Sequence, residues 1–226
     1  KAKVKVFTDE FKNWFGDWEN DPANASKILD ENGEPLVLYH GAKSDFWVFD
    51  MSRSVPQRNE GMMGMFFTDN AKTAAGYTVD LRKEAAVVKA KEDLAKINNE
   101  FSFKHRQLET ENKTGDEIQD LTKKEFEATK AAEVKFKAAI ADAFNNAYDN
   151  AESRTKAVFV KSQMPFEQDA DGKSFLAVNK KAAERYFVDG VYDGIVNNNV
   201  LDDANANHSV GAAKVVISFD ATNIKS

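Results

Sequence analysis

Apolar residues recur at helical spacing through the middle of the chain. One stripe, in which residues follow each other seven positions apart, consists of Val87, Leu94, Phe101 and Leu108. A second stripe predicts a helix from about Asp116 to Asn150. Between the stripes, Gly115 can end the first helix, and Thr114 with Glu117 matches the S/T-x-x-E pattern of a helix start. This pattern predicts two long helices packed antiparallel as a hairpin.

The flanking segments have shorter elements. A short helix capped by Thr8 is expected to end near Phe15-Gly16, and another, capped by Asp69 or Asn70, to run from about Asn70 to Tyr77. Compact apolar runs of three to five residues are typical of buried strands. These predicted strands are Leu36–Tyr39, Met65–Phe67, Ala157–Val160, Phe175–Val178, Gly194–Val196 and Val215–Phe219.

The two patterns divide the chain into a core and an insertion. Residues 81–157 contain 15 basic and 15 acidic residues, so the net charge of −6 lies outside this segment. Residues 1–80 and 157–226 together have the size of one α+β domain, and residues 81–156 are predicted to be a helical hairpin inserted into it. The ordinary interpretation of the charged helix faces is a solvated surface.

Composition excludes several classes of protein. The chain has no Cys and only 3 His among its 226 residues, which excludes disulfides and leaves little for a metal site. No apolar run approaches the roughly 20 residues needed to cross a bilayer. The acidic net charge is a poor match to a protein held on nucleic acid mainly by phosphate neutralisation. A reducing compartment is therefore permitted, and membrane binding is not expected.

Two local patterns could carry chemistry. His40 and Gly41 directly follow a predicted strand, where an imidazole leaves the sheet and a residue without a side chain lets a ligand approach the backbone. Phe66 and Phe67 end the next strand, and Tyr77 returns ten residues later on the following helix, so that aromatic faces could sandwich a flat ring. The alternatives are a structural histidine and ordinary core packing.

These patterns together resemble a known family. The segments YHG, GMFFTDNAKTAAGY and VVISFDATNIKS, in that order, are similar to ADP-ribosyltransferases related to diphtheria toxin and the poly(ADP-ribose) polymerases. The subgroup most similar is the ADP-ribosyltransferase module of phage and mobile-element polyvalent proteins, which the segments WFGDW, DENGEPLVLYHGA, YDGI and NIKS also resemble. The resemblance implies a split β-sheet core and leaves the helical hairpin uncovered.

The resemblance also implies a set of site residues. His40 would bind a ribose hydroxyl of NAD, Gly41 would hold the nicotinamide carboxamide through its backbone, and Phe66 and Tyr77 would flank the nicotinamide ring. His40 and Tyr77 are the expected catalytic residues. The remaining expected contacts to NAD are Phe67, Thr68 as a weaker polar contact, and Asn223, where the subgroup usually has glutamine.

Three positions depart from the family pattern. Many members have a glutamate at the head of the final strand, where this chain has Val215. Ala42 and Ala74 stand where members often have hydroxyl side chains. A valine cannot stabilise a cation or accept a proton, which argues against polymer elongation. Asp202 and Asp203, in the polar loop before the final strand, could supply a carboxylate instead.

The resemblance therefore implies an NAD-dependent mono-ADP-ribosyltransferase that consumes NAD, requires no metal and acts in the cytoplasm of a bacterial or phage-infected cell. Its acceptor would be a protein or a nucleic acid, with protein favoured, and the chain, which begins at Lys1, could be a module of a larger polypeptide. One alternative is a catalytically impaired relative that still binds NAD, ADP-ribose or a partner protein. Another is that the hairpin of residues 81–156 docks a partner and the core only presents it.

Overall fold

A computed structural model describes residues 8–46, 48–53, 64–111, 113–202, 204 and 210–226. The helices are α1 (Asp9–Phe15), α2 (Ala71–Gly76), α3 (Ala85–Thr110), α4 (Gly115–Asp149), α5 (Ala151–Arg154) and α6 (Phe175–Asp189). The strands are β1 (Leu38–His40), β2 (Met65–Thr68), β3 (Lys156–Val160), β4 (Pro165–Asp169), β5 (Gly194–Val200), β6 (Ala213–Ser218) and β7 (Ile224–Lys225). Short 3₁₀ helices span Met51–Arg53 and Ala221–Asn223.

The chain divides into two compact units. The first comprises Lys1–Thr78 and Ala147–Ser226, and the second comprises Val79–Asn146. Within the first unit, the strands are ordered β4-β5-β6-β2-β1-β3-β7, with β4 parallel to β5 and the other neighbouring pairs antiparallel. The unit is therefore of the predicted α+β class, and among the described residues the strand order shows no split of the sheet.

Alternation along β2 and β6 assigns side chains to the two faces of the sheet. The pairs Phe66–Ile217 and Phe67–Val216 lie opposite each other in the antiparallel ladder, so each pair shares one face. The first core, on the face of Ile217, consists of Ala170, Phe175, Val178, Ala182, Ala183, Ile195, Val200, Val215 and Ile217. The second core, on the face of Val216, consists of Ile28, Leu38, Met65, Phe67, Val158, Val160, Val196 and Val216.

The N-terminal aromatic residues form a third cluster in the same unit. Thr8 accepts a hydrogen bond from the Phe11 amide and caps α1, as predicted. Phe11, Phe15 and Trp18 then pack with Ala25 and with Phe159 of β3. Burial of these large rings is worth roughly 1.5–3 kcal/mol per side chain, so the WFGDW segment is part of the packing of the core.

One predicted strand is wrong. Phe175–Val178 begins the 15-residue helix α6, which carries Phe175, Val178 and Ala182 into the first core. Gly190, with φ of 64°, ends this helix in the left-handed conformation that favours glycine. Two further strands, β4 and β7, were not among the predicted strands. The other predicted strands are present, with shifted ends, as β1, β2, β3, β5 and β6.

The second unit contains α3 and most of α4. The Glu117 carboxylate accepts hydrogen bonds from the Thr114 amide and hydroxyl, as the capping pattern predicted. The helices contact each other through His105 with Glu125, whose nitrogen and oxygen lie 2.8 Å apart, and through the Thr129 hydroxyl, which donates to Asn98. Among the described residues, no helix combines the length and the apolar character needed to cross a bilayer.

Candidate functional site

His40 is the last residue of β1 and is held by the neighbouring strand. Its Nδ1 atom lies 2.8 Å from the carbonyl oxygen of Phe66. Rings of Phe46, Phe49 and Phe67 surround the imidazole at centroid distances of 5.6, 5.4 and 5.5 Å. This aromatic environment lowers the pKa of His40 by burial, and the positive charge of Lys156 lowers it further, while the bond to Phe66 opposes the shift.

His40 lines a cavity of about 290 Å³ with a predominantly basic wall. The charged side chains of this basic cavity are Lys43, Asp45, Arg154 and Lys156. The ammonium group of Lys156 lies 2.9 Å from Asp45 and 4.9 Å from the centre of the Phe46 ring. Lys156 thus fixes the segment after β1 at the cavity, and Lys43 and Arg154 add two further positive charges that suit an anionic ligand.

A larger, open cavity of about 730 Å³ adjoins the basic cavity and shares Asp45 and Phe46 with it. Its other charged side chains are Asp50 and Asp220, and its remaining walls are mostly apolar. An anionic group would be repelled there. Of the two cavities, the smaller is therefore the candidate for a phosphate-bearing ligand.

Gly41 is fixed by a close approach of β1 to α2. A Cβ atom at this position would lie 1.7 Å from the carbonyl oxygen of Ala74 and 3.4 Å from the side chain of Thr78. Only a residue without a side chain fits against the helix here. Ala74 itself is buried, so the position at which the resemblance implied a hydroxyl side chain is an alanine beside the glycine.

Tyr77 caps the C-terminus of α2 and is 43% exposed. Its backbone amide donates to the carbonyl group of Ala74. Its hydroxyl donates a short hydrogen bond to Asp202, the residue two positions beyond β5. The structure thus brings one of the two aspartates singled out from the sequence to Tyr77; the other, Asp203, lies outside the described residues.

The two phenylalanines of β2 lie on opposite faces of the sheet. Phe67 shares the face of His40, whereas the Phe66 ring packs edge-on against Phe175 in the first core, with centroids 5.6 Å apart. Only the carbonyl of Phe66 reaches His40. The side-chain slot expected from His40, Phe66 and Tyr77 is therefore not formed by Phe66, because the strand alternates.

Thr68 and Asn223 have other local partners. The Thr68 hydroxyl, which is buried, accepts a hydrogen bond from the Asn70 amide at the start of α2. The Asn223 carbonyl accepts from the Lys161 amide, just beyond β3, whereas His40 pairs with Lys156 at the opposite end of that strand. Lys161 and Lys156 are roughly 16 Å apart along the chain, for a strand rise of about 3.3 Å per residue, so Asn223 and His40 meet β3 at opposite ends.

Val215, which was expected at the head of a strand and is the third residue of β6, is 1% exposed and belongs to the first core. It lies opposite Thr68 on one side and Asn197 on the other. The position at which the resemblance implied a glutamate is therefore a buried valine. The described residues also contain no group of three or more His, Asp or Glu side chains arranged to hold a metal ion.

Sequence reasoning missed the side chains that cover His40 and line its cavity. Phe46 and Phe49 lie in an irregular segment without periodicity, and Arg154 with Lys156 lies about 115 residues later in the chain. The β1–β3 pairing brings Lys156 opposite His40. A strand prediction alone gives neither partner nor register, so the sequence contained no signal for this proximity.

Comparison with known protein families identifies the family of this chain. The model of a family described as ADP-ribosyltransferase in polyvalent proteins matches residues 30–226. No curated protein and no solved structure matches the chain. The family model covers all the described residues from the ENGE turn to the C-terminus, and the chain belongs to this family of ADP-ribosyltransferases in polyvalent proteins.

Proposed function

We propose that the chain is an NAD-dependent mono-ADP-ribosyltransferase, which transfers ADP-ribose to a macromolecular acceptor and releases nicotinamide. Protein is favoured over nucleic acid as the acceptor because the net charge of −6 would repel a polyanion. We further propose that it is a phage or mobile-element effector module that acts in the cytoplasm, consumes NAD and needs no metal. The single observation that carries the proposal is His40, fixed on Phe66 at a basic cavity.

The chemistry of NAD suits the described side chains. Its diphosphate carries two negative charges, which complement Lys43, Arg154 and Lys156 around the basic cavity. The neutral imidazole of His40 has an Nε2 lone pair that can accept a hydrogen bond from a ribose hydroxyl. Gly41 directly follows His40, so its backbone amide and carbonyl are the proposed partners of the carboxamide, and Tyr77, which is 43% exposed, provides an aromatic ring for the nicotinamide.

Transfer breaks the bond between the nicotinamide nitrogen and the ribose carbon. The bonding electrons leave with nicotinamide, positive charge develops on the ribose, and a nucleophile of the acceptor attacks that carbon and loses a proton. A site accelerates this step by immobilising the two halves of the substrate. Polymer elongation would also require a group that activates a ribose hydroxyl, and Val215 cannot do so, which is why we propose single transfer.

The second candidate is a catalytically impaired module that binds NAD, ADP-ribose or a partner protein without turnover. The observation in its favour is Val215, since a core valine at 1% exposure can neither stabilise a cation nor move a proton. The two candidates share one binding site and differ in the chemical step. Binding and turnover must therefore be measured separately.

The test compares His40→Ala with His105→Ala, a matched loss of an imidazole from the second unit. NAD affinity is measured by calorimetry, and nicotinamide release by chromatography. The proposal expects wild-type protein and His105→Ala to bind NAD and release nicotinamide, and His40→Ala to lose at least tenfold in release. Binding without release in the wild type would favour the impaired module. Absence of both would contradict the transferase and would leave, of the second candidate, only a module that binds ADP-ribose or a partner protein.

We also propose that the two long helices form the inserted hairpin and dock the acceptor. Phe103, Phe126 and Val134 of α3 and α4 are 57%, 65% and 61% exposed, and such apolar side chains on otherwise charged helices are available for contact with a partner. In lysate with labelled NAD, Phe103→Ser with Phe126→Ser should leave nicotinamide release unchanged and abolish label on the acceptor. Unchanged labelling of the acceptor would contradict the docking role.

A further inference from the structure

Tyr77 is held at two points, its main-chain amide and its side-chain hydroxyl. Its amide closes the last turn of α2, and its hydroxyl donates to the Asp202 carboxylate. A hydrogen bond from a phenol to an ionised carboxylate is among the stronger neutral-to-charged bonds in proteins. Tyr77 is 43% exposed, so the hydrogen bond to Asp202 contributes to holding its ring in place.

Asp202 is itself held by the chain that precedes it. Leu201 donates from its amide to the Lys173 carbonyl at 3.0 Å, and its own carbonyl accepts from the Phe175 amide at 3.1 Å. These two bonds tie the end of β5 to the start of α6. The carboxylate that meets Tyr77 therefore projects from a backbone that is fixed on its N-terminal side.

We propose that Asp202 is a positioning residue for the nicotinamide half of the ligand site. By accepting a hydrogen bond from the Tyr77 hydroxyl, Asp202 fixes the orientation in which the Tyr77 ring stacks on a flat heteroaromatic amide. Asp202 itself does not contact the ligand. This inference rests on the proposed function, because it takes nicotinamide as the group that meets Tyr77. It assigns the carboxylate a role that does not require it to replace the missing glutamate.

Loss of the Tyr77–Asp202 hydrogen bond should weaken the binding of some ligands and not of others. A tyrosine whose hydroxyl is released must be immobilised by the ligand, and immobilising a side chain costs enough to weaken binding about two- to tenfold. This loss of affinity affects only ligands that contact the Tyr77 ring. Nicotinamide and NAD should therefore lose affinity when the anchor is removed, while ADP-ribose, which lacks nicotinamide, should bind as before.

The experiment measures binding of nicotinamide and of ADP-ribose to the full chain by calorimetry. The variants are Tyr77→Phe, Asp202→Ala, Asp202→Asn and the double variant Tyr77→Phe with Asp202→Ala, with Asp189→Ala as an unrelated loss of a carboxylate. We expect Tyr77→Phe and Asp202→Ala each to weaken nicotinamide two- to tenfold, and the double variant no further. Asp202→Asn keeps an acceptor oxygen and should retain most of the affinity.

The outcomes separate this inference from the proposed function. If Asp202→Ala is poorly folded, Tyr77→Phe and Asp202→Asn still decide, since both keep the size of the side chain. Unchanged nicotinamide affinity in Tyr77→Phe, or equal losses for nicotinamide and ADP-ribose, would overturn the positioning role while the proposed function stands. A wild-type protein that binds ADP-ribose but not nicotinamide would also overturn the positioning role and leave the proposed function standing. A wild-type protein that binds neither ligand would overturn both.

Discussion

The Nδ1 atom of His40 lies 2.8 Å from the main-chain carbonyl oxygen of Phe66. A carbonyl oxygen only accepts hydrogen bonds, so Nδ1 must carry the proton. In the neutral imidazole, Nε2 then presents a lone pair. The β2 backbone thereby fixes both the orientation and the tautomer of His40, and toward a ligand this side chain acts as a hydrogen-bond acceptor.

We predict that His40 is neutral at pH 7, with Nδ1 protonated. Burial lowers the pKa of His40 below its usual 6.5, and the charge of Lys156 acts in the same direction. Long-range proton–nitrogen NMR spectra of imidazole-labelled protein should identify the Nδ1-protonated tautomer, with a titration midpoint below 6.5. Lys156→Gln should raise that midpoint. Protonation at Nε2, or a midpoint above 6.5, would contradict the assignment.

The same shift predicts how stability depends on pH. Well above pH 6.5, the ordinary pKa of histidine, His40 is neutral in both the folded and the unfolded chain and contributes no pH dependence. As the pH falls below 6.5, the unfolded chain takes up a proton before the folded one, so the free energy of unfolding decreases until the folded-state pKa is passed. Urea denaturation of wild type and His40→Gln from about pH 7.5 to about pH 5 should show this loss only in the wild type. Parallel curves for the two proteins would refute it.

Gly41→Ala should disrupt the end of β1. The new Cβ would lie 1.7 Å from the Ala74 carbonyl oxygen, and backbone shifts of this kind cost about 1–3 kcal/mol or more. The matched control is Gly115→Ala, where nothing lies within 4 Å of the new atom and alanine favours the helix. Chemical denaturation should show a large loss for the first variant and none for the second. Equal stabilities would contradict the close approach of β1 to α2.

The fold could be predicted where the pattern was local. The Thr8 cap and the Thr114–Glu117 cap depend on neighbouring residues alone, and both were found. Phe175–Val178 was misjudged because four apolar residues fit a buried strand and the first turn of a buried helix equally well. The left-handed Gly190, 15 residues after Phe175, was the available signal for a helix end.

The candidate site could be predicted only in part, because a sheet alternates and a sequence motif does not show which face a residue takes. His40 and Gly41 could be chosen from their place after a strand. Phe66 was expected to flank the nicotinamide ring and Phe67 was also expected to contact NAD, yet neighbouring residues of a strand point to opposite faces of the sheet. The basic side chains opposite His40 depend on the pairing of β1 with β3, which no local pattern encodes.

Asp193, in the YDGI segment, is predicted to be a structural residue. Its carboxylate accepts hydrogen bonds from the Ser162 hydroxyl at 2.5 Å and from the amides of Gln163 and Met164 at 2.7 and 3.0 Å. Asp193→Ala should lower the free energy of unfolding by about 2–4 kcal/mol, because hydrogen bonds to a charged group contribute about 1.5–3 kcal/mol. Urea denaturation with Asp21→Ala as the exposed control measures this difference. A loss no larger than that of the control would rule out the structural role.

The basic cavity predicts a charge-dependent affinity for the ADP-ribose half of NAD. Arg154 lines the cavity with His40, so Arg154→Gln removes one charge-assisted hydrogen bond to a diphosphate and should weaken ADP-ribose binding roughly tenfold. Arg185→Gln is the matched control, since Arg185 lies on α6 beside Asp189 and outside the cavity. Calorimetry at low and high salt should show a shallower salt dependence for Arg154→Gln and an unchanged one for Arg185→Gln. Nicotinamide carries no phosphate, so its affinity should be the same in both variants. If Arg154→Gln leaves ADP-ribose binding unchanged, the diphosphate does not occupy this cavity, and His40 would have to meet the ligand from another direction.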